Sequence, residues 1–265
     1  MLGALSPARR RLVLLVVLAV LLGVLVAVAV VVVRLTSGGV TPVAQDEPGP
    51  VLLVSGYGGS TRSLGPLRQA LEDEGRDVVV VPAVGGGTGD IAEQADALDG
   101  VADEAMKRFD AASVDVVGYS AGGVVAREWV RHADGAGKAR RVLSVGSPQH
   151  GTTVAELAVG FAGQCPTACR QLEPDSDLLR ALNARDETPN GPRFISVWSD
   201  ADEVVVPPDS ALLDGALNLT VQSVCSGAQT THGDLPSDPV VLDLLGTALG
   251  PGAPAAPTDV SCNAG

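Results

Sequence analysis

The sequence predicts an α/β chain: a mostly parallel sheet with helices on both faces, preceded by one transmembrane helix. Three observations lead there. Short valine-rich runs alternate with stretches of helical period between residues 50 and 250. Most of those runs are apolar on both faces, as strands buried between two helical layers are. Finally, 22 uncharged residues run unbroken from Leu12 to Val33. At 265 residues the chain can bury a full α/β core in one domain.

The apolar run LVLLVVLAVLLGVLVAVAVVVV follows Arg9, Arg10 and Arg11 and is closed by Arg34. As a helix it measures about 33 Å, against a bilayer core of about 30 Å. A cleaved signal peptide has a shorter apolar core, about 7–15 residues, ending at a small-residue site. Here Ala27-Val28-Ala29 lies inside the run, with four valines after it. The reading is an uncleaved signal anchor: residues 1–11 are a basic cytoplasmic N-terminus and 12–33 the span. The three arginines on the inner side predict a single-pass protein of the cell membrane with an extracytoplasmic body. Secretion after cleavage of this segment is the alternative.

The stretch LTSGGVTPVAQDEPGP is rich in Gly and Pro and has no period, so residues 34–49 read as a linker. The folded domain spans 50–250, and the Pro/Ala-rich residues 251–265 form a tail. Within the domain, strands are expected at Val51–Val54, Val78–Val81, Val114–Val117, Val142–Val145, Phe194–Trp198 and Leu217–Val224. Helices are expected near Leu64–Glu74, Asp90–Phe109, Ala121–His132, Asp177–Ala184 and Asp238–Leu249. That alternation is the pattern of a parallel sheet with helical crossovers. Only 44 residues separate Pro148 from Arg193, which leaves little or no room for a cap domain. The apolar stretch VAELAVGFA at 154–162 reads as a buried helix face, or else as one wall of a site.

The first 36 residues hold four of the 18 Lys+Arg and none of the 31 Asp+Glu. The remainder therefore carries 14 bases against 31 acids, a net charge of about −17. Such a surface repels polyanions, which argues against nucleic acid as a partner. The four cysteines, Cys165, Cys169, Cys225 and Cys262, all follow the span. An even count outside the cytoplasm favours two disulfides, for which three connectivities exist. No histidine lies at ligand spacing from Cys165 and Cys169, so no metal site is read there.

The chemistry is concentrated in VDVVGYSAGGVVAREW. Gly118-Tyr119-Ser120-Ala121-Gly122 matches G-x-S-x-G, a strand-to-helix turn that presents a serine as nucleophile. A serine hydroxyl needs a base, and the base an orienting acid. There are three histidines. His132 is twelve residues further along the same helix, about 18 Å away at 1.5 Å per residue, and cannot reach. His150 precedes every late acid, whereas chain order in this arrangement runs Ser, acid, His. That leaves His232, in TTHGDLP. The acid is expected in SDADEVV, as Asp202 or Asp200 with Glu203 behind; spacing alone does not choose between the aspartates. Two backbone N–H groups are needed for an oxyanion: Ala121, directly after the nucleophile, and a residue of VSGYGGST, where Tyr57 stands at the expected place. The run Gly85-Gly86-Gly87-Thr88-Gly89 lacks the residues of a nucleotide-binding loop and reads as a flexible loop near the site mouth.

These residues resemble the small bacterial (actinobacterial-type) triacylglycerol lipases and esterases of the α/β-hydrolase fold. The resemblance spans roughly 50 to 245 and rests on VLLVSGYGG, VDVVGYSAGG, GSPQHGT, VWSDADEVVVP and THGDLP. It implies an α/β-hydrolase fold and a serine carboxylic-ester hydrolase acting on a lipid or small ester. No cofactor, metal or obligatory protein partner is implied. It further implies Asp202 as the acid, His232 as the base, Tyr57 and Ala121 as oxyanion donors, and a Cys165–Cys169 disulfide within CPTACRQLEPDSDLLRALN. The family usually has histidine where this chain has Ser55, which puts the rigidity of that loop in question. An acyltransferase with the same three residues and a non-catalytic binding protein on the same fold are the alternatives.

Overall fold

In the computed structural model, residues 7–36, 40–155, 165–258 and 260–262 are described. They belong to two compact units, Met1–Val40 and Thr41–Gly265. The first contains the helix α1 (Pro7–Thr36). Its described leucines, such as Leu15 and Leu25, are exposed. The span expected at Leu12–Val33 falls partly on residues whose side chains lie outside the described set. Among the described residues, no helix is long and apolar enough to cross a membrane.

The second unit alternates strands and helices: β1 (Val51–Val54), α2 (Gly65–Asp73), β2 (Val78–Val80), α3 (Ile91–Phe109), β3 (Val114–Tyr119), α4 (Ala121–His132), β4 (Ala139–Val145). It continues through the short helices α5 (Thr167–Gln171) and α6 (Asp177–Asn183), then β5 (Arg193–Trp198), β6 (Leu217–Thr220), α7 (Val221–Val224) and α8 (Pro239–Leu249). All six strands pair in parallel, in the order β2-β1-β3-β4-β5-β6. Strand side chains alternate between faces. Val51 and Leu53 of β1 join Val117, Leu143 and Ile195 in one core, which Leu67 and Leu71 of α2 and Leu244 and Leu245 of α8 complete. Helix α4 packs over β1, β3 and β4, and α3 packs on α4. Burial from both sides explains the unbroken valine runs.

This topology selects the place of the site. From β1 the chain steps outward to β2; from β3 it steps the other way, to β4. Ligands of open parallel sheets bind beyond the strand C-termini at such a reversal. The loop after β1 carries Gly56 and Tyr57, and the turn after β3 carries Ser120.

Three departures from the sequence reading have physical causes. The last strand stops at Thr220, not Val224, because Thr220 Oγ1 accepts from the Ser223 amide at 2.9 Å and starts the turn α7. Strand β4 begins at Ala139, three residues before the expected Val142, and so includes Arg140 and Arg141, which are 0% and 1% exposed. Their charges find partners inside. Arg140 Nη2 donates to Asp115 Oδ2 at 2.6 Å, and Arg140 Nη1 to the carbonyls of Gln45 and Gly250. Arg141 donates to Gln45 Oε1 and to the Gly252 carbonyl. Gln45, placed in the linker by sequence, is therefore held against the base of the sheet. Of the stretch 154–162, Val154 and Ala155 are described and line a cavity; the rest lies outside the described residues.

The four cysteines form two disulfides, Cys165–Cys169 and Cys225–Cys262, each with Cα atoms 5.5 Å apart. The second ties the tail to the end of α7.

Candidate active site

Strand β3 ends at Tyr119 and α4 begins at Ala121, leaving Ser120 alone in the turn with φ 54° and ψ −126°. A left-handed backbone costs a non-glycine residue about 1–3 kcal/mol and persists only where its surroundings enforce it. Here the Ser120 amide donates to the Val145 carbonyl at 2.8 Å, and its carbonyl accepts from Gly123. The flanking glycines allow the tightness. A Cβ on Gly118 would lie 2.4 Å from the Gly123 nitrogen, and one on Gly122 would lie 2.4 Å from the Val54 oxygen.

Opposite the turn, the segment after β6 brings His232 to Ser120. Its Nε2 lies 3.0 Å from Ser120 Oγ, and its Nδ1 lies 2.7 Å from Asp202 Oδ2. A carboxylate oxygen accepts, so Nδ1 carries the proton and Nε2 presents its lone pair to the serine hydroxyl. The carboxylate is itself fixed: Asp202 is buried, and its Oδ1 accepts from the amides of Val204 and Val205, each at 2.8 Å. Asp200, the other candidate, is exposed, with its amide bound to Gln222 Oε1. The turn after β5 thus turns Asp202 inward and leaves Asp200 outside.

Two further groups hold the His232 backbone. Its amide donates to Glu203 Oε2 at 3.1 Å, and its carbonyl accepts from the Tyr119 hydroxyl at 3.0 Å. The Tyr119 and His232 rings lie 5.2 Å apart. Burial, then the charges of Asp202, Glu203 and Asp234, pushes the Tyr119 hydroxyl up to about 12, so it remains a donor. Neither role was visible in the sequence. Glu203 stood only as a spare acid, and Tyr119 only as the variable position of the serine motif.

The remaining histidines are engaged elsewhere. His132, at the end of α4, pairs with Glu128; His150 pairs with Glu187 at 2.8 Å. The loop containing His150 is braced from α4 by the buried Arg127, which donates to Gln149, the Leu182 carbonyl and Asn183. Burial brings Arg127 down to about 10, still well above neutral pH.

Ser120 opens onto a mostly apolar cavity of about 190 Å³, lined among others by Tyr57, Leu172, Val204 and Val205. Gly56 adjoins Ser120 closely: a Cβ there would lie 2.9 Å from that of Ser120. Ala121 is the first residue of α4, where an N–H has no partner within the helix and the dipole favours negative charge. A larger groove of about 420 Å³ lies beside Cys225–Cys262, but Ser120, Asp202 and His232 do not line it.

The arrangement suits transfer of a proton from serine to imidazole beside an apolar cleft. No curated protein matches the chain. Among solved structures, lipase B of Aspergillus fumigatus is similar, with a TM-score of 0.63 and 21% identity over 78% of this chain. The chain spans 54% of that lipase's length. The mature form of the Bacillus licheniformis lipase BlEst2 aligns with a TM-score of 0.61 and 16% identity, over 80% of this chain and 95% of its own. These likenesses concern the fold, which is that of the α/β-hydrolases. The family described as Lipase (class 2) matches residues 104–240, a span that includes Ser120, Asp202 and His232 and covers just over half of the sequence. The chain belongs to the Lipase (class 2) family, a family of carboxylic ester hydrolases.

Proposed function

We propose that the protein hydrolyses carboxylic esters through an acyl-serine intermediate. The continuous hydrogen-bonded series Ser120–His232–Asp202 carries this reading. His232 Nε2 takes the hydroxyl proton as Ser120 Oγ attacks the ester carbonyl. The oxygen becomes an anion held by the Tyr57 and Ala121 amides, and Asp202 stabilises the imidazolium. Collapse breaks the acyl–oxygen bond, and His232 passes its proton to the departing alcohol. Water then repeats the sequence on the acyl-serine: His232 accepts its proton, and the acid leaves as Ser120 recovers a proton. Each half-reaction returns His232 to its starting state, and no redox change occurs.

The apolar lining of the cavity supports an acyl group as the part of the substrate seated there. The substrate class is a lipid or small ester. The unbroken run Leu12–Val33 behind three arginines supports attachment of this enzyme to the cell membrane with its domain outside. Two disulfides fit an oxidising compartment.

The test is hydrolysis of p-nitrophenyl esters from acetate to palmitate by the full-length chain, beside Ser120→Ala. Turnover that disappears in the variant supports the reading, and the chain-length optimum measures the reach of the cavity. A folded wild type that cleaves none of them sinks it. Attachment is checked by fractionation, with extracytoplasmic protease digestion of intact cells reporting the side of the domain.

A further inference from the structure

The glycine run after β2 is not used by the chemistry above. In the structure it packs, backbone to backbone, behind the loop that carries Tyr57. The Gly58 amide donates to the Gly87 carbonyl at 3.2 Å, and the Gly59 amide donates to the Gly56 carbonyl at 3.0 Å. The second bond orients a specific peptide unit. In a trans peptide the carbonyl and the next N–H point in opposite directions. With the Gly56 carbonyl turned inward to Gly59, the Tyr57 N–H points out of the turn. Tyr57 lines the cavity that holds Ser120.

Gly87 is where the two loops meet. It is buried, has φ 70°, and a Cβ there would lie 2.4 Å from the Gly59 nitrogen and 2.7 Å from its Cα. No side chain stands between them to yield. Gly85 and Gly86 share the left-handed conformation, with φ 58° and 65°, yet a Cβ on either would meet nothing within 4 Å. The run is anchored from the far side as well, because the Thr88 carbonyl accepts from Ala168 in α5, the helix closed by Cys165–Cys169.

We infer that Gly87 is a positioning residue for the reaction: it sets the turn Gly56–Gly59 so that the Tyr57 amide is preorganised for the oxyanion. This rests on the ester-hydrolase reading above. Preorganised donors act on the transition state more than on bound substrate, and losing one costs about 10²–10³ in kcat. A structural filler at the same place would alter stability, and both neighbouring glycines would matter alike.

The experiment compares Gly87→Ala with Gly86→Ala in the full-length chain. Both variants impose the left-handed strain of a side chain; only the first pushes on Gly59. Expected are a loss of about 10²-fold in kcat for Gly87→Ala with KM unchanged, and wild-type kcat for Gly86→Ala. An alkyl boronic acid, whose tetrahedral adduct on serine places an oxygen at the oxyanion position, should bind Gly87→Ala more weakly by the same factor. Equal losses in both variants, or wild-type kcat in Gly87→Ala, overturn the inference. If Gly87→Ala does not fold, amide exchange in the wild type decides: Gly58 and Gly59 protected with Tyr57 fast supports it, and fast exchange at Gly58 and Gly59 overturns it. Ester hydrolysis that Ser120→Ala abolishes establishes the underlying reading by itself, so failure of the glycine effect alone removes only this inference. A wild type without ester hydrolysis overturns both.

Discussion

At the N-terminal end of β3, Asp115 is fully buried, and its Oδ2 accepts from Arg76 and Arg140, each at 2.6 Å. Past the other end of the same strand, Ser120 meets His232, which is held by a second buried carboxylate, Asp202, at 2.7 Å. Asp115 and Asp202 are alike in burial and in hydrogen-bond length; they differ in their partners. A guanidinium holds its proton throughout the physiological range. Even Arg141, which burial and the charge of Arg140 bring down to about 10, stays charged at neutral pH. Asp115 is therefore locked into a constant set of charges that joins strand, linker and tail. Asp202 faces an imidazole whose other nitrogen lies 3.0 Å from Ser120 Oγ, so this pair adjoins a hydroxyl and a cleft. On the proposed mechanism, the partner decides whether a buried carboxylate serves structure or chemistry.

The sharpest break in that comparison is Ser120→Ala. It should lower kcat by about 10⁶-fold while leaving the denaturant midpoint in place, since the base and acid keep their bond. Asp202→Asn should follow at about 10⁴-fold, by presenting the imidazole in the wrong tautomer. Circular dichroism on both variants checks that the loss is chemical. At the opposite end, Asp115→Ala leaves the guanidiniums of Arg76 and Arg140 facing each other without the carboxylate between them. A destabilisation of about 3–5 kcal/mol is expected by chemical unfolding, with kcat per folded molecule unchanged. A fall in kcat there, corrected for the folded fraction, would show that the two ends are not independent.

Tyr119→Phe is the mildest probe and separates stability from chemistry at one residue. Loss of the bond to the His232 carbonyl should cost about 1 kcal/mol. It should also change the response to alkali. The hydroxyl titrates at 10.0 when exposed and at about 12 in the folded chain, so the unfolded chain loses its proton first. The stability this provides is complete below the lower value and vanishes as pH rises through the upper one. Unfolding free energies measured across that window should fall more steeply for wild type than for the phenylalanine variant. Equal slopes would mean that Tyr119 is not held as described.

Much of the candidate site's geometry was legible because local signals converged. A strand-turn-helix motif surrounds Ser120, and with only three histidines, reach and chain order were enough to single out His232. Asp202 could not be separated from Asp200 by spacing, since both lie in one short turn. The distinction lies in the amides of Val204 and Val205, which pull one carboxylate inward. The strand pattern also hid β4's start, because Arg140 and Arg141 interrupt the apolar run, and their buried partners, Asp115, Gln45 and the residues around 250, come from distant parts of the chain. Glu203 and Tyr119 stayed hidden for the same reason: each touches the His232 backbone, and no periodicity records which loops will meet there. The glycine run was recognised but read as a flexible loop near the site mouth. Its contact with the Gly56–Gly59 turn involves only backbone, which leaves no side-chain pattern to read.

The Arg140 clasp has a consequence for how the catalytic unit can be built into other proteins. One guanidinium nitrogen, Nη1, touches both Gln45, just after the unit begins, and Gly250, near its close. The segments at Gln45 and Gly250 are therefore neighbours, beneath the sheet and away from the cleft. Domains with adjacent termini tolerate insertion into a host loop or circular permutation. A unit joined to a host at those two segments, and so without the Cys225–Cys262 bond, should keep the Ser120 cleft facing free solvent, so the fold could be carried as a module on another protein's surface.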